Sequence, residues 1–153
     1  MLPTARPHLV RCEPGELSDS DLASLVYRHG RCVGSGVDPD QWFPVASDVV
    51  TAREEAADAI DVCVSCPVRA QCLEYSLRHG SDFGVYGVWG GMVEGERRLL
   101  RGRWLGGTRV TEFLDQAETR AVTRAAATTW SADVPSALSG EHGDMPDARG
   151  RRV

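Results

Sequence analysis

CVSCPVRAQCLEYSLRHG, residues 63–80, sets the fold and the chemistry together. Cys63, Cys66 and Cys72 give the spacing C-x2-C-x5-C. Pro67 follows Cys66 directly, the placement expected for the first position of a helix with Cys66 as its cap. Val68, Cys72, Leu73 and Leu77 then continue at helical spacing, and Gly80 marks the stop. A helix that begins among thiols is the central element. Thirty-one residues upstream of Cys63 stands Cys32, the fourth thiol of the set.

Four thiolates satisfy either a tetrahedral zinc ion or an iron-sulfur cluster. A zinc site holds its sulfurs less than about 4 Å apart, given Zn–S bonds near 2.3 Å. With Cys66 at the cap and Cys72 six residues on, their Cα atoms are separated by roughly 9 Å of axial rise. Helical side chains lean back towards the N-terminus and recover part of that gap. The larger span of a cluster fits better. A thiolate-ligated cluster is also anionic, and the positive end of a helix beginning at Pro67 suits it. The bland alternative is that these are small buried apolar residues, as free cysteines often are. Cys12 lies outside the spacing and is expected to be an unligated thiol.

Outward from the cysteines, Ser18 or Asp19 caps a helix to about His29 through Leu22, Leu25 and Val26. A glycine-containing turn then carries Cys32. GVDPDQWFP, residues 36–44, is punctuated by Pro39 and Pro44 and reads as loop. Its adjacent Trp42 and Phe43 cannot both face inward. Thr51 with Glu54 reads as a capping box for a helix running through Ala56, Ala57, Ala59 and Ile60 into Cys63. FGVYGVWGG, residues 83–91, reads as two short extended pieces or a tight turn with Trp89 between glycines. A short helix over about 93–101 follows, and 111–127 is a further helix with few apolar contacts to make. From Ser131 the Pro, Gly, Ser and Asp content reads as a flexible tail. The fold class expected is therefore mainly all-α, a small helical bundle with a glycine-rich β-turn. Its divisions are a flexible N-terminus at 1–15, the cysteine domain at 16–103, and a helix with tail at 104–153.

The chain has 153 residues, enough for one modest domain with tails. The first residues, MLPTARPHLVRC, lack the apolar run of a signal peptide, and no stretch suits a membrane span. The expected compartment is the cytoplasm, where clustered thiols hold metal or do redox work more often than they form disulfides. Net charge is −5, unevenly spread. Residues 1–62 carry five Arg against eleven acids, whereas 97–103 (RRLLRGR) carry four Arg and none. An acidic chain is a poor free-standing DNA binder, since phosphate affinity needs several neutralised charges. Any such contact is local and assisted. RRLLRGR also has a plain reading as a solvated helix face.

The four cysteines, DPDQWFP, CVSCPVRAQCLEYSL, and GVWGG followed by EGERRLLRGR together resemble the WhiB-like regulators of actinobacteria over roughly residues 12–103. The resemblance implies one 4Fe-4S cluster per chain on Cys32, Cys63, Cys66 and Cys72, within a helical domain that binds the C-terminal domain of the principal sigma factor of RNA polymerase. It maps the docking surface onto Trp42, Phe43 and the turn Gly87, Val88, Trp89, Gly90 and Gly91. It maps the promoter-DNA contacts onto Arg97, Arg98, Arg101 and Arg103, and it implies redox or nitric oxide sensing. On the residues alone, Trp89 is equally well a core residue. Arg101-Gly102-Arg103 and Arg149-Gly150-Arg151 have the core of a minor-groove hook without its trailing proline. The rivals are a thiol-disulfide oxidoreductase of the apo form using Cys63 and Cys66, and a structural zinc module. No membrane and no small-molecule substrate is expected, and no enzyme activity beyond that apo form.

Overall fold

A computed structural model describes residues 10–80 and 86–132, with side chains to 125. The segment 81–85, the Arg149-Gly150-Arg151 repeat and the tail beyond 132 lie outside the described residues. Six α-helices occupy the described chain: α1 Asp19–His29, α2 Val49–Glu55, α3 Ala57–Val64, α4 Arg69–Arg78, α5 Glu94–Leu105 and α6 Val110–Ala132. Among the described residues there is no strand, only an isolated bridge between Trp89 and Met92. No helix is long and apolar enough to cross a membrane. The mainly α expectation holds.

Two compact units divide the chain, Met1–Gln116 and Ala117–Val153. In the second, α6 continues and its residues 118–125 are exposed. The first has its apolar side chains in three clusters. Leu17, Leu22, Leu25 and Val68 join α1 to the start of α4. Ala52, Ala56, Ala59, Ile60, Val88 and Val93 set α2 and α3 under the glycine turn. Leu73, Leu77, Met92, Val110, Phe113 and Leu114 gather α4, α5 and the first turns of α6. Full burial of a Leu such as Leu22 or Leu73 contributes about 1.5–3 kcal/mol. α6 therefore has more apolar contact than its small, polar composition suggests, because Val110, Phe113 and Leu114 concentrate it at one end. The first unit accordingly includes residues 104–116.

Arg78 fastens the N-terminal segment to α4. Its guanidinium donates to the carbonyls of Pro14, Gly15 and Leu17 and pairs with Asp19 and Glu74 at 2.7 and 2.9 Å.

Four helix boundaries differ from the sequence expectation. The cap of α2 is Asp48, whose carboxylate accepts the Thr51 N–H at 2.9 Å; Thr51 is already inside the helix. The helix does not run unbroken into Cys63 but resets at Ala56 (φ −101°, ψ 15°). The restart is capped from outside, since the Gln41 side chain accepts the Asp58 N–H at 3.0 Å and donates to its carboxylate at 2.8 Å. α4 begins at Arg69, not Pro67, because Cys63–Arg69 forms two linked turns (Cys66 N–H to Cys63 O 3.1 Å, Arg69 N–H to Cys66 O 3.2 Å). Val68, wholly buried against α1, is the residue at which the chain turns helical. α5 runs past Arg101 to Leu105 and takes Arg101-Gly102-Arg103 into helical backbone, so this tripeptide is not the extended hook a minor groove would accept.

Candidate metal centre

Cys32, Cys63, Cys66 and Cys72 line one cavity of about 380 Å³. Cys63 comes from the end of α3, Cys66 from the linked turns and Cys72 from the first turns of α4. Cys32 sits in the turn after α1, and its neighbour Arg31 donates to Ser65 Oγ at 2.9 Å, tying that turn to the Cys63–Cys66 loop. Cys63 is buried, Cys66 and Cys72 open partly onto the cavity, and Cys32 is exposed. Cys12 packs on the α1–α4 cluster and is not part of the cavity wall.

Against the thiols lies the glycine turn, which adds Val88, Trp89 and Gly90 to the cavity wall. Trp89 and Met92 exchange both backbone hydrogen bonds at 3.1 Å around Gly90 and Gly91. Both central residues have positive φ, 60° and 77°, as a type I′ turn requires. A Cβ on Gly90 would stand 2.7 Å from Leu73 Cβ, so the turn lies directly on α4. The Val88 N–H donates to Trp42 O at 2.9 Å, and a Cβ on Gly87 would meet that carbonyl and the Phe43 ring. The aromatic loop is thus held by the turn on one side and by Gln41 on α3 on the other.

Trp42 and Trp89 are half-buried in the cavity wall and Phe43 is 60% exposed at its mouth. Trp89 stacks on Tyr75 (centroids 5.9 Å apart) and donates its indole N–H to Tyr86 O at 2.9 Å. Core packing and surface display are both realised in this one side chain. Tyr27, Val33 and Tyr86, also exposed, extend the apolar rim. The sequence reading passed over these three; Tyr86 was within reach, three residues from Trp89 in the same run.

The arginines of RRLLRGR do not act alike. Arg97 is buried, donating to Gly87 O at 2.5 Å and Met92 O at 2.8 Å, so its guanidinium faces the inside of the turn and not the surface. Arg101 is half-buried and donates to Leu77 O at 2.7 Å. Arg98 is exposed beside Glu94, and Arg103 is exposed with its guanidinium 5.0 Å from the Phe113 ring centroid. Arg69, unmarked in sequence, donates to Gly90 O at 3.1 Å.

The cavity has the room and donor set for a polynuclear group. At about 380 Å³ it far exceeds the roughly 10–15 Å³ of such space that one water needs. Among the described residues no group of three or more His, Cys, Asp or Glu side chains is placed to hold a single metal ion. Desolvation pushes the Cys63 thiol up to about 11 and the Cys72 thiol up to about 12, while the amides of Gly91 and Gly90 facing these sulfurs oppose the rise. Without metal both thiols keep their protons at neutral pH, and a metal must displace them.

A pH dependence follows for the metal-free chain. Both folded-state values lie above the ordinary thiol value of 9, so the stability they favour is complete below about pH 9 and is lost as pH rises through about 11 and 12. Thermal melts of the apo protein from pH 7 to 11 are expected to fall in midpoint above pH 9. A Cys63→Ala, Cys72→Ala double variant should fall less steeply.

The sequence profile described as transcription factor WhiB matches residues 27–100, which contain all four cysteines, the aromatic loop and the turn. The transcriptional regulator WhiB1 of Mycobacterium tuberculosis is 44% identical over 79 residues, 52% of this chain and 88% of that protein. The transcriptional regulator WhiB of Streptomyces coelicolor is 39% identical over 71 residues, 46% of this chain and 71% of its own length. WhiD of the same organism is 41% identical over 69 residues, covering 44% and 59%. No solved structure matches the chain. With its cysteines, aromatic loop and glycine turn inside the matched region, the chain belongs to the WhiB family.

Proposed function

We propose that this chain is a cytoplasmic transcription regulator that holds one 4Fe-4S cluster on Cys32, Cys63, Cys66 and Cys72 and docks on the principal sigma factor. Membership in a family described as transcription factors carries the coarser half of this reading. One observation carries the finer half: four cysteines from separate segments line a single cavity whose rim holds Trp42, Phe43 and Trp89. When bound, the cluster supplies iron centres that change charge and ligation on meeting an oxidant or nitric oxide. The chain's own residues do the rest. The thiolates would hold it beneath the glycine turn, and the aromatic loop is fixed at the same cavity by Gln41 and Val88.

Half-exposed aromatics on a rigid support are the usual anchors of a protein interface. The DNA contact then belongs to Arg98, Arg101 and Arg103 on α5, assisted by the sigma factor because the chain is acidic. The high pKa of the Cys63 thiol disfavours the oxidoreductase alternative, which needs an accessible thiolate.

Co-expression with a principal sigma factor's C-terminal domain under anaerobic conditions tests the docking. A brown complex is expected to co-purify. Trp89→Ala should weaken it by about 30-fold or more, the scale of an interface hot spot of ~2 kcal/mol. Unchanged recovery of the Trp89→Ala complex with its colour intact would remove the aromatic surface from the interface.

A further inference from the structure

The glycine turn is polarised across its two sides. Its carbonyls face two guanidiniums: Arg69 Nε donates to Gly90 O at 3.1 Å, and Arg97 donates to Gly87 O at 2.5 Å and Met92 O at 2.8 Å. Its amides at Gly90 and Gly91 face the Cys72 and Cys63 sulfurs. The layers touch. A Cβ on Gly91 would lie 3.3 Å from Arg69 Nε and equally 3.3 Å from Cys63 Cβ. Arg97 is 5% exposed and Arg69 is half-buried, so neither charge is fully screened by water. Burial lowers Arg97 only to about 10, which leaves it a cation at neutral pH.

We propose that Arg69 and Arg97 are positioning residues that clamp the turn by its carbonyls, aim its amides at the thiolate site, and raise the reduction potential of the cluster held there. The inference rests on the cluster reading of the four cysteines. Net charge, hydrogen bonds to sulfur and solvent exposure set the potential of thiolate-ligated clusters. Reduction adds one electron, taken from a solution reductant, with no bond made or broken. That electron enters an already anionic site, and nearby buried cations and amide dipoles stabilise the product more than the starting state. Arg97 thereby leaves the DNA-contact set that its run suggests and joins the cluster's surroundings.

The test is a dithionite titration of the full chain, reconstituted anaerobically with iron and sulfide and followed by visible absorption and electron paramagnetic resonance. Arg69→Gln and Arg97→Gln are expected to shift the midpoint to more negative potential. Arg97→Lys should return most of the shift, because it restores the charge. Arg120→Gln, at an exposed position of α6, should titrate as the unmodified chain does. Identical midpoints for Arg69→Gln, Arg97→Gln and the unmodified chain overturn the inference. Should Arg97→Gln fail to fold, Arg69→Gln decides alone. An unmodified chain that takes up no cluster instead sinks the cluster reading and this inference with it, and is recognised by the absence of any visible band.

Discussion

Replacing any one of Cys32, Cys63, Cys66 or Cys72 by Ala is expected to abolish the visible absorption of the anaerobically reconstituted chain, whereas Cys12→Ala leaves it intact. The difference follows from position. The first four line the cavity and Cys12 packs on the α1–α4 apolar cluster. Metal binding is also folding free energy when the ligands come from separate segments. Here they come from the turn after α1, the end of α3, the linked turns and α4, so losing one ligand loosens the ties between these elements. Circular dichroism melts should show the unmodified holo form well above all four variants, and the four variants close to one another and to the apo protein. Cys32→Ala is the informative member. It is exposed and adds little packing, so its loss of colour reports ligation alone. A Cys32→Ala protein that keeps the full spectrum would reduce the ligand set to three and reopen the zinc alternative for the trio.

The grouping of four thiols in one cavity was legible in sequence because their spacing around one helix start already brings them together. Helix α1 was equally legible, since Ser18 caps it locally through the Asp21 N–H and its apolar residues recur on one face. What escaped was set by distant parts of the chain. Nothing near Asp58 announces that the N-terminus of α3 is capped by Gln41, seventeen residues upstream. Pro67 signals a helix start, but burial of Val68 beneath α1 moves that start to Arg69. The placement of Arg97 escaped for the same reason. In RRLLRGR every arginine reads as surface charge, and only the tertiary placement of Gly87 and Met92 draws Arg97 inside. Arg69 carried no signal at all, because a single Arg on an amphipathic helix is ordinary.

Gly90→Ala is expected to be the most damaging substitution outside the cysteines. Gly90 has φ +60°, which costs an L-residue about 1–2 kcal/mol. Its new Cβ would also stand 2.7 Å from Leu73 Cβ and 3.1 Å from Arg69 O, both parts of α4 with no freedom to swing away. Relief requires the turn to lift off the helix, and overpacking of that kind costs about 1–3 kcal/mol more. Lifting the turn also withdraws its amides from Cys63 and Cys72 and parts Gly90 O from Arg69. A loss of roughly 2–5 kcal/mol is a large share of the stability of a domain this size. Gly102→Ala is the matched comparison. Gly102 lies in the interior of α5 with nothing within 4 Å of the new methyl group, so Ala there should stabilise by about 0.5–1 kcal/mol. Denaturant melts of the two apo variants should therefore move in opposite directions. If Gly90→Ala melts with the unmodified chain and takes up iron and sulfide as fully, the turn does not press on α4 as described, and the route from Arg69 through the turn to the thiols is broken at its first contact.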